Sequence, residues 1–210
     1  MGIEAVIFDL GGVVLGSPLH AIADYESARG IPLGTINHVV ANTAPKGAWS
    51  RLERGEISME AFFDAFERDC AEAGHTISAR EMMTRIGEVT KPRRAMLIAI
   101  ARIRQHGLRV AALTNNWAPE ADAPTDAANL VPLFDVFVES SVEGLRKPDP
   151  KIYELVCERL CVAPEAAVFL DDIGSNLKTA RQLGMTTIKV ENPDTALEEL
   201  QGLLGFSLTE

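Results

Sequence analysis

Basic runs, paired cysteines and long apolar stretches are all missing from this chain of 210 residues. Lys and Arg number 20 against 30 Asp and Glu, a formal net charge of −10. No Lys/Arg block interrupts that acidity, which argues against nucleic acid or an anionic membrane as partner. A phosphorylated substrate stays open, because one lysine, a metal and helix N-termini can hold phosphate inside an acidic protein. The 3 cysteines are too few for a disulfide framework. Cys157 and Cys161 are spaced to share a helix face, but no CxxC or His pair completes a zinc set. They read as reduced, packed thiols. No apolar run approaches a membrane span, and the first residues show neither a basic segment nor a cleavage site. Repeats and low-complexity tracts are lacking too. The expectation is a cytoplasmic protein, a monomer or weak homodimer.

What is present is a rhythm. The length fits one large domain or a domain with a modest insert, enough to bury about 70% of the unfolded surface. Four short apolar runs read as buried parallel strands: Ile3–Phe8, Leu108–Leu113, Ala167–Leu170 and Thr186–Val190. A shorter fifth is Phe134–Val138. Between them lie helical patterns at Arg94–Gln105, stopped by Gly107, at Pro150–Leu160, and at Ser175–Leu183 before Gly184. Strands alternating with such helices predict an α/β fold with a Rossmann-like parallel sheet. Residues 17–90 break the rhythm. Helical stretches cover Leu19–Arg29, Leu33–Val40, Met59–Ala73 and Ala79–Glu88, with a charged loop at Arg51–Glu56 and Pro92 marking the return. The predicted division is a discontinuous core, residues 1–16 and 91–210, with an all-α insert at 17–90. Residues 118–132, rich in Ala, Pro and Asp, form a long connection.

The chemistry sits at the strand ends. Asp9 closes the first run and is followed by Gly11-Gly12, so one carboxylate faces the edge where open parallel sheets bind ligands. It can serve there as nucleophile, general base or metal ligand. Thr114-Asn115 follows the second run, Lys147 precedes Pro148-Asp149-Pro150, and Asp171-Asp172 follows the fourth. Carboxylates, a hydroxyl and a lysine converging on one edge suit a divalent cation and a phosphoryl group.

Phe-Asp9-Leu-Gly-Gly, Leu-Thr114-Asn115, Lys147-Pro-Asp-Pro and Phe-Leu-Asp171-Asp172-Ile-Gly-Ser-Asn176 together resemble the haloacid dehalogenase (HAD) superfamily, in order and spacing along the whole chain. The helical insert resembles its C1 cap. Leu-Thr-Asn-Asn-Trp117, Val-Glu-Ser140-Ser141 and Leu-Asp-Asp-Ile-Gly-Ser-Asn-Leu-Lys178 resemble, more narrowly, the N-terminal phosphatase domain of soluble epoxide hydrolases. The resemblance implies a Mg²⁺-dependent phosphatase for a small phosphorylated metabolite. Asp9 becomes the nucleophile that forms an aspartyl-phosphate. Thr114 and the Asn115 backbone bind the phosphoryl group, and Lys147 neutralises Asp9 and phosphate. Metal ligands are Asp9, the Gly11 carbonyl and Asp172, with Asp171 as ligand or support, and Asn176 orients metal-bound waters. Phosphatase members usually carry an aspartate as general acid where this chain has Gly11, so a good leaving group is the expected preference.

Each residue alone has a plainer reading: a turn for Asp9, a helix cap for Thr114, dipole-favoured acids for Asp171-Asp172. Trp117 stacks on substrate or covers the pocket edge. Trp49 and the Phe62/Phe63/Phe66 cluster read as core of the insert. Arg146 senses substrate or is solvated. The four histidines read as surface groups, with His20 the one placed to replace the missing acid. Two further functions compete: a metal-independent 2-haloacid dehalogenase, disfavoured by the Asp171-Asp172 pair, and a metabolite-binding protein whose catalysis lapsed with Gly11.

Overall fold

The computed structural model describes residues 2–118 and 129–209. Five parallel strands form one sheet in the order β3-β2-β1-β4-β5. They are β1 (Ala5–Phe8), β2 (Arg109–Thr114), β3 (Val136–Glu139), β4 (Ala167–Asp171) and β5 (Thr186–Lys189). The sheet is covered on both faces, as an all-parallel sheet must be. Val6 and Phe8 pack on one face with Met96, Ile100 and Ile103 of α6 (Arg94–Gln105) and Leu197 and Leu200 of α10 (Pro193–Leu204). Ala5 and Ile7 point the other way, onto Ile152 and Val156 of α8 (Pro150–Leu160) and Leu177 of α9 (Gly174–Gln182). This period of two explains why β1 reads as an unbroken apolar run.

Between β1 and Pro92 the chain forms five helices: α1 (Pro18–Arg29), α2 (Thr35–Thr43), α3 (Ala48–Glu53), α4 (Met59–Glu72) and α5 (Ala79–Val89). They enclose a hydrophobic cluster of their own, with Tyr25, Ile36, Trp49, Phe62, Phe66, Met82 and Ile86 buried. Trp49 and the three phenylalanines lie in that cluster, as expected. The chain leaves and re-enters the sheet side by side. Leu15 bridges Pro92 in antiparallel sense. The Gly16 amide donates to the Lys91 carbonyl at 3.0 Å, and the Arg93 amide to the Val14 carbonyl at 2.8 Å.

Three expectations need correction. Arg51–Glu56 is not all loop, because α3 runs through Glu53. Its N-terminal amide at Ala48 is capped at 2.8 Å by Asp69, a side chain 21 residues away that no local pattern reveals. Thr114 and Asp171 are the last residues of their strands, not the first beyond them, since parallel pairing continues through Thr114–Glu139 and Asp171–Lys189. The C-terminal helix α10 was not expected, although Asn192 caps its Asp194 and Thr195 amides and Gly205 ends it in a left-handed conformation. A four-residue helix, α7 (Ser140–Glu143), follows β3. Of the connection at 118–132, residues 119–128 lie outside the described ones.

Candidate active site

At the end of β1, Asp9 is 6% exposed. Its Oδ1 accepts from the Leu10 amide at 2.7 Å, which fixes the carboxylate over the start of a wide turn, Leu10–Val14. Gly12 in that turn has φ +80, and a Cβ there would sit 2.1 Å from Asp172 Oδ2, so only glycine fits. The turn is thereby seated against the carboxylate beyond β4.

Lys147 bridges the two strand ends. Its Nζ lies 2.9 Å from Asp9 Oδ1 and 2.7 Å from Asp171 Oδ2, and the residue is buried. Asn115, just past β2, clamps its backbone: Oδ1 accepts from the Lys147 amide at 2.8 Å, and Nδ2 donates to the Lys147 carbonyl at 3.0 Å. Asp171 is saturated by protein donors. Asn176 Nδ2 gives 3.1 Å to each of its oxygens, and the Ile173 amide reaches Oδ1 at 2.7 Å. Asp172 is held more loosely, by the Ser17 hydroxyl at 3.4 Å.

Oxygens of Asp9, Asp171 and Asp172 lie within 4.8 Å of one another. Three carboxylates thus face one buried ammonium, and the imbalance appears in the proton affinities of Asp9 and Asp172. Burial pushes the Asp9 carboxyl well above the ordinary range; Lys147 pulls it back without cancelling the rise, and Asp171 and Asp172 add to it. Burial, with help from Asp171, raises Asp172 to about 6 against the pull of Lys147. Burial opposes the charge of Lys147, but Asp171 and Asp9 outweigh it and hold its pKa above the ordinary lysine value. A hard divalent cation fits this donor set, since it supplies the missing positive charge and prefers carboxylate oxygens.

The structure therefore brings Asp9, Lys147, Asp171, Asp172 and Asn176 into direct contact or close approach, and Asn115 joins them through the Lys147 backbone. Thr114 is buried at the end of β2, its hydroxyl 3.5 Å from the Asn115 carbonyl. Trp117 stands edge-on to Trp49 at 6.2 Å between ring centroids and packs against the helical cluster. Gly11 has an ordinary φ of −64, and a Cβ would meet Pro18 at 3.3 Å. Arg146 is not solvated: its Nε lies 2.6 Å from Glu53 Oε2, whose other oxygen accepts from Trp49 Nε1 at 2.9 Å. His20 is exposed. Sequence reasoning missed Ser17, Glu53 and Arg93. It also missed the Asn116 network, in which the Ser140 hydroxyl accepts the Asn116 amide at 2.9 Å and Asn116 Nδ2 donates to Glu139 at 2.6 Å. Only Ser17 carried a local signal, as the polar residue before a proline-led helix.

A parallel sheet with an all-helical insertion after β1, and an acid-lysine-acid site at its carboxyl edge, define a haloacid dehalogenase-like hydrolase. The sequence profile of that family matches residues 3–184, and the chain belongs to it. The chain is 43% identical over 211 residues to acyl-CoA dehydrogenase family member 10 of Mus musculus, spanning 98% of this chain and 19% of that protein. Identity to bifunctional epoxide hydrolase 2 of Sus scrofa is 33% over 223 residues, 100% of this chain and 40% of that one. The chain thus spans less than half the length of these two relatives. A phosphatase of Mycobacterium tuberculosis is 27% identical over 204 residues, 91% of this chain and 88% of the relative. Among solved structures, a HAD family enzyme of Bacteroides thetaiotaomicron in complex with magnesium and inorganic phosphate superposes with a TM-score of 0.60 at 20% identity, covering 90% and 94% of the two chains. At that identity the likeness speaks for the fold.

Proposed function

We propose that the protein is a Mg²⁺-dependent phosphomonoester hydrolase acting on a small phosphorylated metabolite. The observation that carries this reading is Lys147 Nζ, shared at 2.9 and 2.7 Å between Asp9 and Asp171, with Asp172 completing three carboxylates around one ammonium. That cluster needs a cation and offers a nucleophile beside it. The phosphatase relative and the phosphate- and magnesium-bound structural neighbour favour the same chemistry.

In this reading Asp9 attacks phosphorus. Lys147 and the Leu10 amide both engage Oδ1, and we assign the attack to Oδ2. The P–O bond to the leaving group breaks, and the departing alkoxide takes its proton from solvent because Gly11 has none to give. Water then attacks the aspartyl-phosphate, releasing phosphate and the Asp9 carboxylate. Thr114 and the Asn115 backbone bind phosphoryl oxygens, and Lys147 offsets their charge. Asp9, Asp172 and the Gly11 carbonyl would hold Mg²⁺, which when bound lends positive charge to the phosphoryl group. Asp171, already saturated by Lys147, Asn176 and Ile173, supports rather than ligates. Residues 17–90 serve as the cap over a core of 1–16 and 91–210, with Trp117 and Trp49 packed where the two meet, and the cap excludes water and selects substrate.

Hydrolysis of p-nitrophenyl phosphate tests this, since its leaving group needs no acid. Release that requires Mg²⁺, stops in EDTA and disappears in Asp9→Asn is expected. Metal-independent release, or none from wild type and none from Gly11→Asp, overturns the proposal and favours dehalogenation or binding without turnover.

A further inference from the structure

The return linker carries one side chain back to the nucleophile turn. Arg93 Nη1 donates to the Gly12 carbonyl at 2.7 Å and to the Val13 carbonyl at 3.2 Å. Its own amide donates to the Val14 carbonyl at 2.8 Å, so backbone and side chain together bind three consecutive carbonyls. These carbonyls belong to the turn whose Gly12 lies against Asp172 Oδ2. Burial disfavours the guanidinium charge, and the Asp172 carboxylate favours it. Gly12 thus meets a guanidinium from the return linker and a carboxylate from just past β4.

The linker around Arg93 has little freedom. Gly16 on the outgoing linker approaches so closely that a Cβ there would lie 2.0 Å from the Val89 carbonyl. The Leu15–Pro92 bridge and the Gly16–Lys91 hydrogen bond fix the register of the two linkers. A shift in that register moves Arg93 relative to Gly12. The position of the return linker is therefore tied to the seating of the turn that presents Asp9.

We propose that Arg93 is a positioning residue: its hydrogen bonds to Gly12 and Val13 keep the Asp9 turn seated against Asp172, so that the two carboxylates meet one cation. The proposal rests on the reading of this cluster as a Mg²⁺ site. Charge-assisted hydrogen bonds to two carbonyls give it its strength, and the side chain touches no reacting atom.

The experiment measures Mg²⁺ binding by isothermal titration calorimetry for wild type, Arg93→Met, Arg93→Lys and Leu15→Ala. The last loosens the linker packing but leaves the Arg93 donors in place. Thermal unfolding in EDTA measures how far each variant is destabilised. Arg93→Met is expected to weaken Mg²⁺ about tenfold, Arg93→Lys to recover most of that, and Leu15→Ala to stay within about twofold of wild type. With p-nitrophenyl phosphate, the Arg93→Met loss should fall on kcat at saturating Mg²⁺ more than on KM. Binding unchanged in Arg93→Met, or weakened equally in Leu15→Ala, overturns the proposal and leaves Arg93 a structural strap. A wild type that binds no Mg²⁺ overturns the metal reading, and this proposal with it.

Discussion

Replacing Asp172 by asparagine should make the metal-free protein more stable, which is unusual for a half-buried, hydrogen-bonded polar residue. The carboxyl titrates at about 6 in the fold against an ordinary 3.8, chiefly because burial disfavours its charge. Each pH unit of that difference is worth about 1.4 kcal/mol, so the ionised carboxylate costs the fold about 3 kcal/mol. The sign follows from proton binding. Between pH 4 and 6, roughly, the folded state holds a proton that the unfolded chain has lost, and stability falls as pH rises. Below about pH 4 both states are protonated and the penalty is absent; above about pH 6 it is complete. The side-chain amide of the Asp172→Asn variant has no charge to bury and keeps an oxygen for Ser17. In EDTA the variant and wild type should therefore unfold together near pH 4. At pH 7.5 they should separate by about 3 kcal/mol in the variant's favour, roughly 6–12 °C in Tm for a chain of this size. Mg²⁺ should close the gap by stabilising wild type and leaving the variant alone. Urea titrations at the two pH values, with and without Mg²⁺, measure all four corners. An Asp172→Asn protein no more stable than wild type at pH 7.5 in EDTA would refute the charge-imbalance argument, and with it the case that this cluster is built around a missing cation.

Three further outcomes follow from the same geometry. Lys147→Met removes the ammonium between Asp9 and Asp171 and leaves buried charge uncompensated; urea unfolding should show a loss of about 3–5 kcal/mol, and no p-nitrophenyl phosphate hydrolysis should remain. Gly12→Ala forces a left-handed φ on a residue with a Cβ and drives that Cβ to 2.1 Å from Asp172 Oδ2, so chemical denaturation should register about 1–3 kcal/mol of destabilisation. At Gly11 an added Cβ would press on Pro18 at 3.3 Å, and Gly11→Asp should cost about 1 kcal/mol; kcat on alkyl phosphates should rise by up to about 10²-fold, and an unchanged kcat would show that proton donation is not what limits the enzyme.

The sheet and three of the four helices that cover it, all but α10, were legible because each carries its own local signals. Helices α6 and α8 run over the predicted residues, Arg94–Gln105 and Pro150–Leu160. One is closed by a following glycine, and the other opens on Asp149-Pro150, whose aspartate caps the Lys151 amide. Strand ends slipped by a residue where a polar side chain, Thr114 or Asp171, prolongs an apolar run: hydropathy stops, but backbone pairing does not. The convergence of Asp9, Lys147 and Asp171 was readable because parallel strands deliver their carboxyl ends to one edge. The supports of that cluster were not. Arg93 finds Gly12 across 81 positions and Arg146 finds Glu53 across 93. An exposed arginine and a buried, paired one look alike in sequence, since nothing local states which acid or carbonyl each will meet.

The two adjacent glycines after Asp9 look equivalent in sequence and are not equivalent in the fold. Gly12 is a steric requirement: its φ is +80 and Asp172 occupies the space of any side chain. Any residue there other than glycine would displace a carboxylate of the cluster. Gly11 is under no such constraint. Its φ of −64 suits every L-residue, and its nearest neighbour is the edge of a proline ring at 3.3 Å. Packing therefore explains the second glycine and leaves the first as a matter of chemistry. An acid there would add a fourth carboxylate to three that already face one buried ammonium. With Asp172 titrating at about 6, each further negative charge raises the demand for a cation. A site without that fourth acid would ask less of a bound cation and gives up a proton donor. A preference for leaving groups that depart without protonation is the expected result of that exchange, and a comparison of aryl with alkyl phosphates measures it.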